Sequence, residues 1–88
     1  MASLAPFPDI CGMGSRAEDQ AEIVKLFARR VRAERERTGL SQDKFALKAG
    51  LHRTYVGGLE RGEINATLAN ADKVARALNM KLADLLVE

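Results

Sequence analysis

The sequence has little of what most catalytic and metal-binding sites require. It contains one cysteine, Cys11, and one histidine, His52, far apart along the chain. This excludes an intrachain disulfide and argues against a structural zinc site. The sequence also has no phosphate-binding glycine loop and no pair of carboxylates on a plausible cleft. We therefore expect a protein that is not an enzyme and that needs no metal or cofactor.

Long apolar runs are missing as well. No stretch approaches the roughly 20 apolar residues that span a bilayer. The first residues lack the basic start and the apolar run of a secretion signal. A chain of 88 residues forms one small domain. We expect this domain to act in the cytoplasm, away from membranes and without a pocket for a small-molecule effector.

The net charge of +2 is unevenly distributed. Residues 23–62 carry ten Lys or Arg against four Asp or Glu, a net charge of +6, whereas residues 1–22 carry −3 and residues 63–88 carry −1. A basic charge concentrated in one segment is typical of proteins that bind nucleic acid. A run such as RRVRAERER is also common on a solvated helix face, so the charge alone leaves both interpretations open.

The first part of the chain divides into a tail and a long helix. Residues 1–14 contain both prolines and no periodic pattern, which predicts a flexible tail, and residues 15–88 form the domain. A helix is predicted from residue 16 to residue 38, with Ser15 as N-cap and Glu18 completing a capping box. Its apolar positions recur at helical spacing and are Ala17, Ala21, Val24, Phe27, Ala28 and Val31.

Four shorter helices are predicted after it, and no segment alternates as a strand would. The second begins after Ser41 and ends at Gly50, and the third covers about residues 53–61. Thr67 caps the fourth, whose apolar face consists of Leu68, Ala71, Val74, Ala75 and Leu78. A short fifth helix contains Leu82, Leu85 and Leu86. The second and third helices, joined through a glycine, form a helix-turn-helix over residues 41–62 in an all-α protein.

These residues carry a family resemblance. The segments GLSQDKFALKAGL, YVGGLERG and VARALNM resemble the lambda-repressor and Cro-like (XRE) helix-turn-helix family over about residues 27–87. Within it, LHRTYVGGLERG is similar to the controller proteins of restriction–modification systems. The resemblance implies a compact five-helix domain, DNA binding through the third helix and a symmetric dimer. Three residues depart from the family: Glu34 replaces a common leucine, Ala71 a larger apolar residue, and Lys81 a Ser or Thr cap.

The start of the third helix carries the predicted base-reading residues. In a helix-turn-helix this end points into the major groove of double-stranded DNA. Arg53 is the first candidate, because a guanidinium can donate two hydrogen bonds to guanine. Thr54 suits a thymine methyl group or a phosphate. His52 either contacts a phosphate or caps the helix, and Tyr55 either contacts a phosphate or packs half-buried against the second helix.

Other polar residues are expected to contact the DNA backbone. The resemblance implies a phosphate contact for Gln42, in the first turn of the second helix, where free N–H groups favour anions. Contacts of this kind position the protein without reading sequence. The further candidates are Lys44, Lys48, Arg61 and Asn65.

Gly57 and Gly58 lie side by side in the third helix, where each costs about 1 kcal/mol relative to alanine. One interpretation is that Gly58 faces the groove and lets the backbone approach the bases, with Gly57 near a phosphate. The other is an effect of packing or flexibility. Under either interpretation, alanine at both positions is predicted to raise stability.

The resemblance implies one internal ion pair, between Arg35 on the first helix and Glu60 on the third. We also expect a homodimer through the C-terminal region, because its apolar residues exceed what the fifth helix needs for its own anchoring. The expected interface residues are Met80, Leu82, Leu85, Leu86 and Val87.

The leading hypothesis is a sequence-specific transcriptional regulator that binds a palindromic operator. Two alternatives of the same class are a DNA-binding antitoxin and a restriction–modification controller. An alternative of another class is a helical adaptor that binds protein and has lost DNA binding. A DNA affinity that hardly depends on salt concentration would favour the adaptor.

Overall fold

In residues 16–87, four α-helices and one short 3₁₀ helix follow one another. The computed structural model describes residues 16–87, and the side chains of residues 21–87. Its helices are α1 (Arg16–Thr38), α2 (Gln42–Ala49), α3 (Arg53–Glu60), α4 (Leu68–Ala77) and the 3₁₀ helix Leu82–Leu86. Residues 16–87 contain no strand, so the all-α prediction is confirmed for them. None of their helices is long and apolar enough to cross a membrane. The predicted tail, the Ser15 cap and the Glu18 side chain lie outside the described residues.

Side-chain caps and a glycine set the ends of the short helices. The Ser41 hydroxyl accepts a hydrogen bond from the backbone N–H of Lys44 at 3.1 Å. Thr67 does the same for Asn70 at 3.1 Å. Each such cap stabilises a helix by about 1 kcal/mol. Gly50 ends α2 with a φ of +74°, a left-handed conformation that other residues adopt at a cost. These interactions are local, so they could be predicted from the sequence.

The connection of residues 50–52 turns the chain sharply between α2 and α3. The backbone N–H of Leu51 donates to the carbonyl of Ala46 at 2.9 Å. Ala46 is buried in the core, and α2 packs directly against α3. A larger side chain at position 46 would separate the two helices. This arrangement is the predicted helix-turn-helix.

Every element contributes to one hydrophobic core. The largest fully buried side chains are Val31, Phe45, Val56, Leu59, Val74 and Leu85. Burial of an aliphatic or aromatic side chain of this kind contributes about 1.5–3 kcal/mol. Leu85, at 0% exposure, belongs to this core, and its predicted place in a dimer interface is wrong. It anchors the C-terminal segment on the domain.

The predicted fifth α-helix is a 3₁₀ helix of five residues. Lys81 precedes it and supplies no side-chain cap, which agrees with the weak start that its replacement of Ser or Thr predicts. Arg30 of α1 holds the segment from the side. Its Nε donates to the carbonyl of Val87 at 2.9 Å, and its Nη2 donates to that of Asp84 at 3.0 Å. The C-terminal segment is therefore held on the domain by the buried side chain of Leu85 and by the hydrogen bonds of Arg30.

Glu34 takes a polar role where the family resemblance suggests leucine. Its side chain is largely covered and accepts hydrogen bonds from Arg37 at 2.6 Å and from Arg30 at 3.1 Å. The bond from Arg37 chiefly, together with the bond and charge of Arg30, holds the pKa of Glu34 below its ordinary value, against the opposing effect of burial. Charge pairing thus replaces apolar packing at this position of α1.

Two residues predicted to be inward-facing lie at the surface. Leu68 is 79% exposed, because it is the first residue of α4 and the buried face of that helix begins one turn later at Ala71. Ala21 in the second turn of α1 is exposed, since the core contacts of that helix begin nearer Phe27. Ala71 is buried although it is small.

Candidate nucleic-acid interface

The first turn of α3 presents its side chains to solvent. Arg53 and Thr54, the first two residues of the helix, are both exposed. His52 precedes them as N-cap, and its Nδ1 accepts a hydrogen bond from the backbone N–H of Thr54 at 3.0 Å. Of the two roles considered for His52, the cap is the one observed. The last five residues of the helix, from Val56 to Glu60, are all buried, so the core holds the rest of α3 while its first two residues stay open to solvent.

Tyr55 is half-buried and has a partner on another element. Its hydroxyl accepts a hydrogen bond from the side-chain amide of Asn70 at 3.1 Å. The half-burial agrees with one of the two predicted roles of Tyr55, and the sequence did not predict the hydrogen bond to Asn70 of α4. This contact fixes the ring and leaves the hydroxyl hydrogen of Tyr55 available to another acceptor.

The two glycines of α3 are buried within the domain. A Cβ at Gly58 would lie 2.6 Å from Cδ1 of Ile64, so a side chain at 58 would collide with it. The chain after α3 folds back over this turn, with the N–H of Glu63 donating to the carbonyl of Gly58 at 2.9 Å. The prediction that Gly58 faces the DNA groove is therefore wrong. A Cβ at Gly57 would lie 3.2 Å from Nη1 of Arg61, which is an exposed and movable group.

A buried ion pair joins α1 to α3. Arg35 Nε lies 2.6 Å from Glu60 Oε2, and Arg35 Nη2 donates to Glu60 Oε1 at 3.0 Å. The third nitrogen of Arg35 donates to the carbonyl of Leu40 at 2.7 Å. The side chains are 12% and 2% exposed, and the hydrogen bond to Glu60 raises the pKa of Arg35 above its ordinary value. This is the pair that the family resemblance implied.

Gln42 completes the same cluster from α2. Its side-chain amide donates to Glu60 Oε1 at 3.0 Å, so one carboxylate connects three helices. The family resemblance implied a phosphate contact for this side chain, but here it is turned toward the protein. Its contribution to an anion site is reduced to the backbone N–H groups at the start of α2. The cluster fixes the angle between the two helices of the helix-turn-helix.

The candidates for backbone contacts share an exposed position. Lys44 and Lys48 lie on the outer side of α2, Arg61 follows α3, and Asn65 lies in the loop before α4. Arg61 pairs with Glu63, with 3.1 Å between Nε and Oε2. Exposed cations of this kind can reach a polyanion without unfolding any contact of the core.

Sequence reasoning missed one residue beside Arg53. Asp43, in the first turn of α2, places Oδ1 2.6 Å from Arg53 Nε. The two residues are ten apart in sequence, and the turn between the helices brings them together. The sequence shows an acidic residue in the first turn of α2, but nothing in its spacing from Arg53 indicates the contact. In the described part of the chain, no three His, Cys, Asp or Glu side chains lie together as metal ligands would.

An apolar groove of 180 Å³ opens on another side of the domain. It lies between the exposed end of α1, the loop before α4, the start of α4 and the 3₁₀ helix. Its apolar lining includes Ile23, Phe27, Ile64, Leu68, Leu82 and Leu86. Of the five predicted interface residues, Leu86 and Val87 are exposed, whereas Met80 and Leu82 pack partly against the core. Leu82 and Leu86 therefore connect the C-terminal segment with the groove.

Comparison with known proteins agrees with this architecture. The family model described as Helix-turn-helix (HTH_3) matches residues 31–85. Control protein C.SmaI of Serratia marcescens is 41% identical over 81 residues, which cover 92% of this chain and 87% of that protein. Control protein C.BamHI of Bacillus amyloliquefaciens is 42% identical over 62 residues, covering 69% of this chain and 76% of that protein.

Solved structures give the same result. The restriction–modification controller protein C.AhdI of Aeromonas hydrophila superposes with a TM-score of 0.69 and is 44% identical, covering 70% of this chain and 94% of that one. A hypothetical transcription factor from Neisseria gives a TM-score of 0.72 at 35% identity, covering 77% of this chain and 76% of that one. The chain therefore belongs to the helix-turn-helix family of DNA-binding transcriptional regulators and is similar to restriction–modification controller proteins.

Proposed function

We propose that two copies of this chain bind a palindromic operator, each placing the first turn of α3 in the major groove, and so regulate transcription. The observation that carries this proposal is the exposure of Arg53 and Thr54 at the start of a helix whose last five residues are buried in the domain. Arg53 donates to O6 and N7 of a guanine, and Thr54 contacts a thymine methyl group or a phosphate.

The positive segment supplies affinity that does not depend on sequence. In this proposal the exposed side chains of Lys44, Lys48 and Arg61 contact phosphates on either side of the major groove. Asn65 lines the apolar groove and is assigned to the dimer contact described below instead. The free N–H groups at the start of α2 add a partial positive charge. Each phosphate neutralised makes the affinity more sensitive to salt, so binding is expected to weaken steeply as salt rises.

Dimerisation follows from the size of the reading surface. One module of this size reads only a few base pairs. Two modules related by a two-fold axis place their recognition helices about 34 Å apart, one turn of DNA. We place the dimer contact at the apolar groove, whose exposed residues Ile23, Leu68 and Leu86 are continuous with Val87 of the C-terminal segment.

Among the regulators of this class, a restriction–modification controller is the assignment we favour. Relatives that match over most of this chain carry that description, and this favours a controller over an antitoxin. A restriction endonuclease or methyltransferase gene next to the coding sequence would support this assignment, and a toxin gene there would contradict it.

Selection of bound sites from random double-stranded DNA tests the proposal. We expect a motif with two-fold symmetry whose half-sites contain a guanine that Arg53→Ala no longer selects. Affinity for the selected site should fall steeply between 50 and 200 mM salt, as for proteins with several phosphate contacts. A protein that selects no motif and whose DNA affinity hardly changes with salt would instead be the protein-binding adaptor.

A further inference from the structure

Asp43 and Arg53 form an ion pair across the two helices of the helix-turn-helix. The distance between Asp43 Oδ1 and Arg53 Nε is 2.6 Å. Asp43 lies in the first turn of α2, and Arg53 is the first residue of α3. The pair is therefore set by the same turn and the same buried cluster that fix the angle between the helices.

The stability of the fold does not explain this pair. Both side chains are about two-thirds exposed, at 66% and 69%. Ion pairs between exposed side chains contribute little to folding, because water screens the charges and both chains lose freedom. A carboxylate beside a DNA-binding arginine also opposes the approach of phosphates. The presence of Asp43 next to Arg53 is better explained by an effect on how the guanidinium binds DNA.

We propose that Asp43 is a positioning residue that holds the Arg53 guanidinium for base reading and keeps it from the phosphates. This inference rests on the proposed function. Because the carboxylate lies against Nε, the two terminal nitrogens of Arg53 remain for O6 and N7 of a guanine. An unrestrained arginine has many rotamers and can also reach the backbone. Restraining the Arg53 side chain before binding lowers the entropy cost of ordering it on DNA. The restraint also disfavours contact with a phosphate, which carries no sequence information.

The chain offers a matched control in the ion pair of Arg61 and Glu63. That pair also joins an exposed arginine to an exposed carboxylate, at 3.1 Å and with exposures of 59% and 60%. Arg61 lies at the other end of α3 and is a candidate for phosphate contact. Removing the charge of Glu63 reports the general electrostatic effect of losing a carboxylate near DNA.

The experiment compares affinities for three DNA duplexes: the selected site, the same site with its most strongly selected half-site guanine pair replaced, and an unrelated sequence. Asp43→Asn should lower the ratio of the first two affinities by about tenfold, within the range that one bidentate contact supplies. Its affinity for unrelated DNA should stay equal or rise. Glu63→Gln should raise all three affinities alike. In an Arg53→Ala background, Asp43→Asn should leave the ratio unchanged.

Two results would overturn the inference, and they are distinguishable. If Arg53→Ala lowers the ratio but Asp43→Asn raises all affinities equally, Asp43 acts through its charge alone, and the proposed function stands. If Arg53→Ala itself leaves the ratio unchanged, the proposed base reading by Arg53 fails, and the inference fails with it. Thermal melts of all variants should match the wild type, since neither carboxylate is buried.

Discussion

Gly57 and Gly58 are neighbours in α3, but a methyl group added to each would meet different surroundings. At Gly57 the nearest atom belongs to the guanidinium of Arg61, the far end of a flexible and exposed side chain. At Gly58 the nearest atoms are Cδ1 and Cγ1 of Ile64, at 2.6 and 3.1 Å, in a side chain packed against the core. Helix propensity treats the two positions alike, whereas the packing distinguishes them.

Alanine at the two positions should therefore have different effects on stability. Gly57→Ala should raise the free energy of unfolding by up to about 1 kcal/mol, because the helix gains propensity and Arg61 can move aside. Gly58→Ala should give a less stable protein than Gly57→Ala, since Ile64 must shift. Urea denaturation of both variants measures the difference. In an Ile64→Ala background the difference should become small, and an undiminished difference there would contradict the packing explanation.

At the scale of the elements, one carboxylate joins α3 to its two neighbouring helices. Glu60 of α3 receives hydrogen bonds from Arg35 of α1 and from Gln42 of α2. Hydrophobic contacts of Val56 and Leu59 hold α3 in the core, but they are less directional than hydrogen bonds. Hydrogen bonds have defined directions, and these bonds therefore determine the angle at which α3 projects.

Glu60→Ala should be strongly destabilising. It leaves the Arg35 guanidinium largely buried without its carboxylate, a loss of about 3–5 kcal/mol, which is a large fraction of the stability of a small domain. Thermal melts followed by circular dichroism measure the loss, and Glu63→Ala, which breaks an exposed ion pair, is the control. The double variant Arg35→Met, Glu60→Leu should recover most of the stability. A Glu60→Ala melt equal to that of the wild type would reject this role.

The lowered pKa of Glu34 predicts how the free energy of unfolding changes with pH. Its pKa is lowered in the folded protein by Arg37 and Arg30, so its carboxylate contributes stability at neutral pH, and that contribution is lost as the pH falls below the ordinary value of 4.5. Glu34→Gln should therefore be less stable than the wild type at pH 7, and the difference should narrow toward pH 3. Urea denaturation at several pH values measures it. Glu36→Gln is the control on the same helix, and equal narrowing in that variant would contradict the prediction.

The elements also show what the sequence could and could not predict. The bounds of α2 and α4 were predictable because Ser41, Thr67 and Gly50 act on their own neighbours. The burial of Gly58 was not predictable, because it depends on the chain after α3 folding back over that turn. Asp43 beside Arg53 was missed for a similar reason, since the pairing depends on the angle between two helices. Distant contacts, rather than helix propensity, set these details of the site.

At the scale of the whole molecule, the domain has two separate surfaces. The first turn of α3 is polar and basic around Arg53, whereas the groove beside α4 is apolar. The exposed leucines Leu68 and Leu86 lie on the groove side. A second copy covering the groove would leave the α3 surface of both copies open. This separation suits a dimer that reads two half-sites.

The proposed dimer gives a prediction with an internal control. Sedimentation equilibrium at micromolar concentration should find a dimer for the wild type, and Leu68→Glu or Leu86→Glu should shift it to monomer, because a charge in an apolar contact is costly. Leu47→Glu changes another exposed leucine, on α2 and outside the groove lining, and should remain dimeric. A wild type that sediments as monomer, or a Leu68→Glu variant that stays dimeric, would contradict this interface.

The exposure of Arg53 and Thr54 has a consequence for how such regulators diverge. Neither side chain belongs to the core, so exchanging them leaves the fold intact, and under the proposed base reading it changes the base pairs that the protein prefers. The fold does not tolerate exchange of the buried residues of the same helix in this way, namely Val56, Leu59 and Glu60. A duplicated copy of the gene could thus acquire a separate target through one or two substitutions, and two copies in one cell could stop recognising each other's sites without losing their architecture.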